Sequence, residues 1–194
     1  NYQGYDYFWG TQEGTNAAGY TATPQWDPTV ATTPYIYEGV KGKDAKKVKE
    51  VGVANFNSNL LNECFNLGFK DIFCNQVEYH PFLSQAKLLE VMQDLEIIPV
   101  AYCPICRGDV ARHDVIIDLA EKYSKTPAQI ALRWIYQQNS ISIPKTANSY
   151  RLRENIDIFD FEIEYKDMLT IYSLARNQRL VPNLEVNELQ YPFD

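Results

Sequence analysis

Residues 72–102 read IFCNQVEYHPFLSQAKLLEVMQDLEIIPVAY, and this stretch decides the fold. The apolar run at 72–77 predicts a strand, the amphipathic stretch at 84–95 predicts a helix, and the apolar run at 97–102 predicts another strand. Strands that are apolar throughout and alternate with helices are typical of a parallel sheet covered by helices. The stretch therefore indicates an α/β protein.

The same alternation continues on both sides of this stretch. Before it, the sequence predicts a strand at 48–53 and a helix at 58–67. After it, the predicted elements are helices at 114–123 and 127–138, a strand at 140–143, and helices at about 150–156 and 165–176. Four strand–helix units with short connections fit either a small doubly wound sheet or half of a (β/α)8 barrel.

Polar residues placed directly after the predicted strands favour the barrel. They are found at Asn55 and in the runs 76–80, 102–109 and 145–155. In (β/α)8 barrels the carboxyl ends of the strands form the functional face. No G-x-G-x-x-G turn follows a predicted strand, so the usual dinucleotide-binding turn of doubly wound sheets is missing. We expect an incomplete (β/α)8 TIM barrel of about four βα units in residues 46–194.

Residues 1–45 have a different composition. The first 40 residues contain no Lys or Arg, and nine aromatic residues occur up to Tyr37 without a helical or strand period. Exposed aromatic side chains favour interfaces. We therefore expect an irregular, aromatic-rich arm at 1–45 that packs on its own domain or on a partner, followed by the half-barrel domain at 46–194.

Charge and composition exclude several classes of protein. The net charge of −7 argues against a nucleic-acid-binding protein, and no apolar run is long enough for a transmembrane segment. Four cysteines in 194 residues are too few for a disulfide-built scaffold. We expect a soluble protein in a reducing compartment, either the cytoplasm or an organelle entered after N-terminal processing, since the chain begins with Asn1.

Several motifs in register resemble one known family. They are VGVANF at 51–56, NQVEYHP at 75–81, AYCP at 101–104, TPAQIALRW at 126–134, IPKT at 143–146 and RLREN at 151–155. Their order, spacing and identity resemble the second half of the aldo-keto reductases, over about residues 46–194. The resemblance implies a (β/α)8 barrel that binds NADP(H) at its C-terminal face.

The resemblance places three residues at the nicotinamide end of that cofactor site. Asn55 and Gln76 correspond to contacts of the nicotinamide carboxamide, and Tyr102 corresponds to the aromatic residue that stacks on the ring. Ala54 stands where the family commonly has Ser, which removes one hydroxyl contact. The run CPIC at 103–106 replaces the family's usual Ser-Pro-Leu-Gly. The resemblance thus implies a partly altered site.

Five further residues resemble the adenosine end of the cofactor site. Lys145, Thr146 and Arg151 resemble the clamp on the 2′-phosphate, and Glu154 and Asn155 resemble the adenine contacts. A phosphate dianion suits a Lys charge, a planar Arg fork and hydrogen-bond donors at a helix start. Without the resemblance, this Lys and Arg would be interpreted as ordinary solvated surface.

The family's catalytic residues have no match in this sequence. The family uses a Tyr assisted by Lys, Asp and His on its first four strands, and sequences like its first three strands are not found here. Residues 24–29 weakly resemble the end of the fourth strand, where the catalytic His would fall on Pro24 or Gln25. We assign no catalytic residue and no metal ligand. The prediction is a non-catalytic structural or accessory subunit; the alternative is the C-terminal part of an active NADPH-dependent aldehyde or ketone reductase.

Two further expectations concern thiols and partners. Cys103 and Cys106 form a C-x-x-C pair, which we interpret as loop substitutions, with redox activity and metal binding as weaker alternatives. Four of eight barrel strands would leave two open sheet edges and an apolar inner face. We therefore expect a protein partner or a homo-oligomer that covers them. The tail at 191–193 resembles the family's C-terminal loop, which lines the substrate pocket of active members.

Overall fold

The computed structural model describes residues 50–181. The predicted arm at 1–45, the segment 24–29 and the tail at 191–193 all lie outside the described residues. The first two residues of the strand predicted at 48–53 lie outside them as well.

Strands and helices alternate along the described chain as the hydrophobic pattern predicts. The elements are β1 (Val51–Ala54), α1 (Ser58–Asn66), β2 (Ile72–Glu78), α2 (Ala86–Asp94), β3 (Ile98–Tyr102), a 3-10 helix (Cys106–Arg112), α3 (Asp114–Tyr123), α4 (Pro127–Tyr136), β4 (Ile141–Ser142), α5 (Ser149–Ile156) and α6 (Tyr165–Tyr172). The 3-10 helix has no counterpart in the predicted elements.

The four strands form one parallel sheet in the order β1-β2-β3-β4. Each strand therefore pairs with the next one along the chain, which is the order of neighbouring strands in a (β/α)8 barrel. The expected incomplete TIM barrel is confirmed. Strand β4 is two residues long rather than four, because it pairs with β3 only at Val100 and Ala101. Among the described strands, β1 and β4 each have a neighbour on one side only.

The core lies between the sheet and its helices. Helix α4 buries more residues than any other described helix, and its Ile130, Leu132, Trp134 and Ile135 are all at most 1% exposed. The predicted start of this helix is confirmed: Thr126 Oγ1 accepts from the Gln129 N–H. In return, Gln129 Oε1 accepts from the Thr126 N–H. Such a cap stabilises a helix by about 1 kcal/mol. Within residues 50–181, no helix is both long enough and apolar enough to cross a membrane.

Candidate functional site

A side-chain hydrogen bond joins the carboxyl ends of β1 and β3. Asn55 leaves β1 with a φ of 58°, in the left-handed region that Asn tolerates better than most residues. Its N–H donates to the carbonyl of Gln76 at 2.9 Å. Its Oδ1 accepts a hydrogen bond from the Tyr102 hydroxyl at 2.9 Å. Two of the three residues predicted at the nicotinamide end therefore contact each other, although 47 positions separate them.

Gln76 carries a buried side-chain amide that has no hydrogen-bond partner among the described residues. It lies on β2, in register with Ala54 on β1 and Val100 on β3. The residue is 1% exposed, and in the described part of the chain neither Nε2 nor Oε1 is hydrogen-bonded. A buried polar group left in this state costs about 1–3 kcal/mol. Its free donor and acceptor suit a ligand group that can also donate and accept, as a carboxamide can.

The side chain of Gln76 lies on the face of the sheet opposite the helices. Its neighbour Asn75 donates to the Phe56 carbonyl at 2.8 Å and contacts Met92 Sδ of α2 at 3.9 Å. Successive side chains of a strand point to opposite faces. Gln76, and Glu78 two residues further on, therefore share the face that becomes the interior when such a sheet closes into a barrel.

The residues predicted at the adenosine end follow β4. Lys145 is exposed in the loop, and Thr146 is half-buried with its Oγ1 accepting from the Asn148 N–H at 3.1 Å. Asn148 caps α5, because its Oδ1 accepts from the Tyr150 N–H at 2.9 Å. Arg151 is exposed in the first turn of α5. Neither Lys145 nor Arg151 forms an ion pair with another described residue, so both charges remain available to an anion.

Glu154 and Asn155 also lie on α5, and hydrogen bonds from α4 hold the backbone just after this helix. Both are half-buried, and α5 has no fully buried residue. The backbone just after α5 is fixed by α4: Gln129 Nε2 donates to the Asp157 carbonyl at 2.8 Å, and Arg133 Nη1 donates to the Ile158 carbonyl at 3.0 Å. All five adenosine-end residues thus fall on one loop and one helix. Because β1 to β4 are parallel, they lie at the same edge of the sheet as the nicotinamide-end residues.

The C-x-x-C pair lies in surroundings that disfavour thiolates. Burial raises the pKa of the Cys103 thiol, the Glu78 carboxylate raises it further, and Arg107 opposes this rise only in part. Burial also raises the pKa of the Cys106 thiol, and the charges of Asp109 and Glu78 add to it. A redox-active dithiol needs a lowered thiol pKa. The raised pKa values of both thiols therefore count against the redox alternative. No group of three His, Cys, Asp or Glu side chains within residues 50–181 is arranged to hold a metal ion.

The loop after β3 has an unusual backbone that the sequence did not indicate. Four of its residues have positive φ: Cys103 (53°), Cys106 (50°), Arg107 (53°) and Gly108 (101°). The left-handed conformation costs a residue with a Cβ about 1–2 kcal/mol. Cys106 stands where the resemblance has the family's Gly, a residue free of this cost. The altered loop therefore carries local strain directly beside Tyr102.

Four consecutive parallel βα units, with polar residues gathered at the carboxyl ends of their strands, define the described region as part of a (β/α)8-barrel protein. The sequence model of the Aldo/keto reductase family matches residues 24–115 and 106–176. The match covers more than half of the chain. This chain belongs to the aldo-keto reductase family.

Individual relatives agree with this assignment. The chain is 40% identical over 167 residues to aldo-keto reductase family 1 member D1 of Oryctolagus cuniculus, covering 78% of this chain and 51% of that protein. It is 36% identical over 137 residues to the glyoxal reductase of Bacillus subtilis, covering 71% of this chain and 50% of that protein. The structure of MGS-M4, an aldo-keto reductase enzyme from a deep-sea metagenome library, matches with a TM-score of 0.69 and 30% identity over 72% of this chain and 53% of that one. The chain spans about half the length of the relatives it matches.

The structure brings the eight predicted cofactor residues to one edge of the sheet, and their roles stay predictions. The sequence missed a ninth polar residue, Glu78, as an individual candidate. It is a carboxylate at the end of an apolar strand, 1% exposed and hydrogen-bonded to His80 at 3.0 Å. The signal was present in the sequence, because a Glu at the end of a buried strand needs a partner. His80 itself is fully buried.

Proposed function

We propose that this chain binds NADP(H) along the carboxyl ends of its four strands. The observation that carries the proposal is the buried amide of Gln76, whose donor and acceptor have no partner within residues 50–181. A nicotinamide carboxamide offers the complementary donor and acceptor. The hydrogen bond between Asn55 and Tyr102 supports the same assignment, because it holds a second amide and an aromatic ring beside Gln76.

The adenosine end supports NADP(H) over NAD(H). Lys145 and Arg151 are exposed cations without a described carboxylate partner, and they flank the capped start of α5. A phosphate monoester is favoured by such charges and by the N–H groups of a helix start. We therefore propose that these two side chains hold the 2′-phosphate, with Thr146 donating from its hydroxyl, while Glu154 and Asn155 contact adenine.

We further propose that the single chain does not reduce carbonyl compounds. The family's catalytic Tyr, Lys, Asp and His have no counterparts in this sequence. General acid catalysis of hydride transfer needs a proton donor within hydrogen-bond reach of the carbonyl oxygen. On this basis the chain acts as a non-catalytic structural or accessory subunit that retains a cofactor site.

An active reductase remains the second candidate, and a specific observation favours it. The relatives include a glyoxal reductase of which this chain spans 50%. A polypeptide that supplied the other strands could complete both the barrel and the catalytic set. In that case the cofactor site proposed here would serve the reaction directly, with this chain as the C-terminal part of an NADPH-dependent aldehyde or ketone reductase.

Both candidates require something to cover the sheet edges. A groove of about 800 Å³ lies beside β4. Its walls include exposed apolar residues, namely Ile141, Leu152, Ile156 and Phe159, which are 50–70% exposed. An unpaired strand edge flanked by apolar side chains favours association. We propose that a protein partner or a second copy of the chain covers these edges.

Fluorescence titration of the purified chain with NADPH, run beside light scattering and an assay with a panel of aldehydes, tests these proposals together. Binding without turnover, in a particle heavier than the 22.4 kDa monomer, is the expected result. Turnover by the single chain would overturn the non-catalytic role and favour the reductase. Absence of NADPH binding would overturn the cofactor site, and a monomer at high concentration would overturn the expected partner.

A further inference from the structure

A buried carboxylate ties the end of β2 to the segment that follows α6. Glu78 is 1% exposed. Its Oε1 accepts hydrogen bonds from His80 Nε2 at 3.0 Å and from the Leu180 N–H at 2.6 Å. Its Oε2 accepts from the Val181 N–H at 3.1 Å. Since 102 positions separate Glu78 from Leu180, the carboxylate joins two distant parts of the chain.

A second attachment holds the same segment a few residues earlier. We call residues 176–181 the C-terminal segment. The carbonyl of Phe82 accepts from the N–H groups of Arg176 and Gln178, both at 3.1 Å. The Arg176 guanidinium also lies 4.4 Å from the centre of the Phe82 ring. The segment is thus fixed at two points, at Glu78 on the end of β2 and at Phe82 in the loop after it, and only the attachment at Glu78 depends on a buried charge.

The Glu78 attachment lies beside the proposed nicotinamide end. Glu78 is in register with Tyr102 on β3 and lies two residues beyond Gln76 on the same strand, so the three share one face of the sheet. The negative charge of Glu78 also acts on the loop after β3, where it raises the pKa of the Cys103 thiol. A change at Glu78 would therefore act next to the ring-stacking residue rather than at a remote surface.

We propose that Glu78 is a positioning residue that holds the C-terminal segment across the carboxyl end of β2, next to the cofactor site. The anchor itself follows from the two backbone N–H groups that donate to its carboxylate. Its consequence for cofactor binding rests on the proposed function. A carboxylate suits this task because it accepts at both oxygens, whereas a Gln side chain at the same place would present one oxygen and one N–H₂ group.

Amide hydrogen exchange on the full chain, followed residue by residue by NMR without cofactor, tests the anchor. In the E78Q variant we expect the Leu180 and Val181 amides to exchange about tenfold faster or more, because each loses a charge-assisted hydrogen bond. The amides of Arg176 and Gln178 should change less, since their acceptor is the Phe82 carbonyl. The E90Q variant, at an exposed position of α2, is the matched control and should leave all four amides unchanged.

Unchanged exchange at Leu180 and Val181 in E78Q would overturn the anchor. If E78Q also speeds exchange throughout β2 and β3, the chain has been destabilised as a whole. The V181P variant then tests the anchor instead. That change removes one donor to the carboxylate at a half-exposed position and leaves Glu78 in place. Faster exchange of the Leu180 amide alone then supports the anchor, and unchanged exchange of that amide overturns it.

A second measurement tests the anchor and the proposed cofactor site separately. When NADPH is added to the unmodified chain, we expect exchange of the Leu180 and Val181 amides to slow by about threefold or more, since a ligand that binds the anchored state suppresses opening. No slowing upon saturation with NADPH would overturn the placement of the anchor beside the site. Failure of the unmodified chain to bind NADPH would count against the proposed function, and exchange without cofactor would still decide the anchor.

Discussion

The two ends of the proposed cofactor site differ in how firmly the protein holds them. At the nicotinamide end, Gln76 is buried on a central strand, and Asn55 and Tyr102 hold each other by a hydrogen bond between β1 and β3. At the adenosine end, Lys145 and Arg151 are exposed, on a loop and on a helix that buries none of its residues. The first end is built before any ligand arrives, whereas the second consists of solvated charges.

This difference indicates what each end contributes to binding. A preformed polar site gains affinity because little ordering remains to be done on binding. Exposed charges gain affinity from attraction that salt screens, and they lose side-chain freedom when they bind. Charge-assisted hydrogen bonds are nevertheless about twice as strong as neutral ones. We therefore expect the adenosine end to supply the larger and more salt-dependent part of the affinity, and the nicotinamide end to fix the orientation of the ring.

Removal of both cations at the adenosine end should have the largest effect. In the K145A/R151A variant we expect NADPH affinity to fall by about 100-fold, since two charge-assisted hydrogen bonds at about 1.5 kcal/mol or more each are lost. Affinity for NADH, which lacks the 2′-phosphate, should change little. The measurement is fluorescence titration with both cofactors at two salt concentrations.

The matched control for that variant is R153A, which removes an exposed cation from the same helix at a position not assigned to the phosphate. It should lower NADPH affinity by less than about threefold. An equal loss in R153A would show that only the overall charge of α5 matters. An unchanged affinity in K145A/R151A would refute the phosphate clamp.

Gln76→Leu should separate binding from stability. We expect NADPH affinity to fall about tenfold through loss of the carboxamide contact. The free energy of unfolding should rise by about 1 kcal/mol, because a buried amide without a partner is replaced by an apolar group of similar size. Denaturant unfolding and NADPH titration measure the two quantities.

The control for this change is Gln93→Leu, on the exposed face of α2. It should leave both the affinity and the unfolding free energy within about 0.5 kcal/mol of the unmodified chain. A loss of stability in Gln76→Leu would mean that the amide of Gln76 is satisfied in solution. That outcome would remove the main support for a ligand at this position.

Acidification should weaken the anchor at Glu78, because only the ionised carboxylate accepts at both oxygens from the backbone N–H groups. Burial alone would raise the pKa of Glu78, but the hydrogen bonds from His80, Leu180 and Val181 outweigh it and lower the pKa below the usual 4.5. A carboxyl group with a lowered pKa in the folded state stabilises that state above its unfolded pKa and loses this contribution as the pH falls through the folded pKa.

The difference in unfolding free energy between the unmodified chain and E78Q, about 1–2 kcal/mol, should therefore be constant from pH 7 to about pH 5 and shrink below about pH 4.5. The comparison with E78Q cancels the contributions of Asp160 and Asp167, whose pKa values are also lowered. The other titratable groups near Glu78 are His80, Cys103 and Cys106. A difference that does not change with pH would contradict an ionised Glu78 in the folded protein.

Local patterns predicted most of the fold. The apolar runs located all four strands, and the helical pattern at 127–138 located the start of α4, because these signals depend on neighbouring residues only. The predicted length of β4 was wrong, since the length depends on pairing with β3 rather than on the residues of β4 itself. The 3-10 helix and the left-handed residues after β3 were missed. Gly108 is the one glycine among these left-handed residues, so no glycine-rich pattern predicts the turn.

The same distinction between local signals and distant contacts applies to the candidate site. Its residues could be predicted from motifs, because each motif is contiguous in the sequence. The hydrogen bonding of those residues could not be predicted, because the lack of a described partner for Gln76 depends on what surrounds β2 in three dimensions. The contact of Glu78 with Leu180 and Val181 spans more than 100 positions and follows no local signal. The sequence therefore identified the candidate site residues, and tertiary packing determines which of their side chains are fixed by hydrogen bonds.

Tyr102→Phe should have the smallest effect and gives the sharpest test of the comparison. It removes the hydroxyl that donates to Asn55 and keeps the aromatic ring available for stacking. We expect the free energy of unfolding to fall by about 1 kcal/mol, the value of one hydrogen bond, and NADPH affinity to fall about threefold, because Asn55 is then free to turn away from the carboxamide. Tyr150→Phe, an exposed position on α5, is the control and should change neither quantity. If Tyr102→Phe lowers affinity as much as Gln76→Leu does, the hydroxyl contacts the ligand itself, and the nicotinamide end is less preformed than the hydrogen bond across β2 indicates.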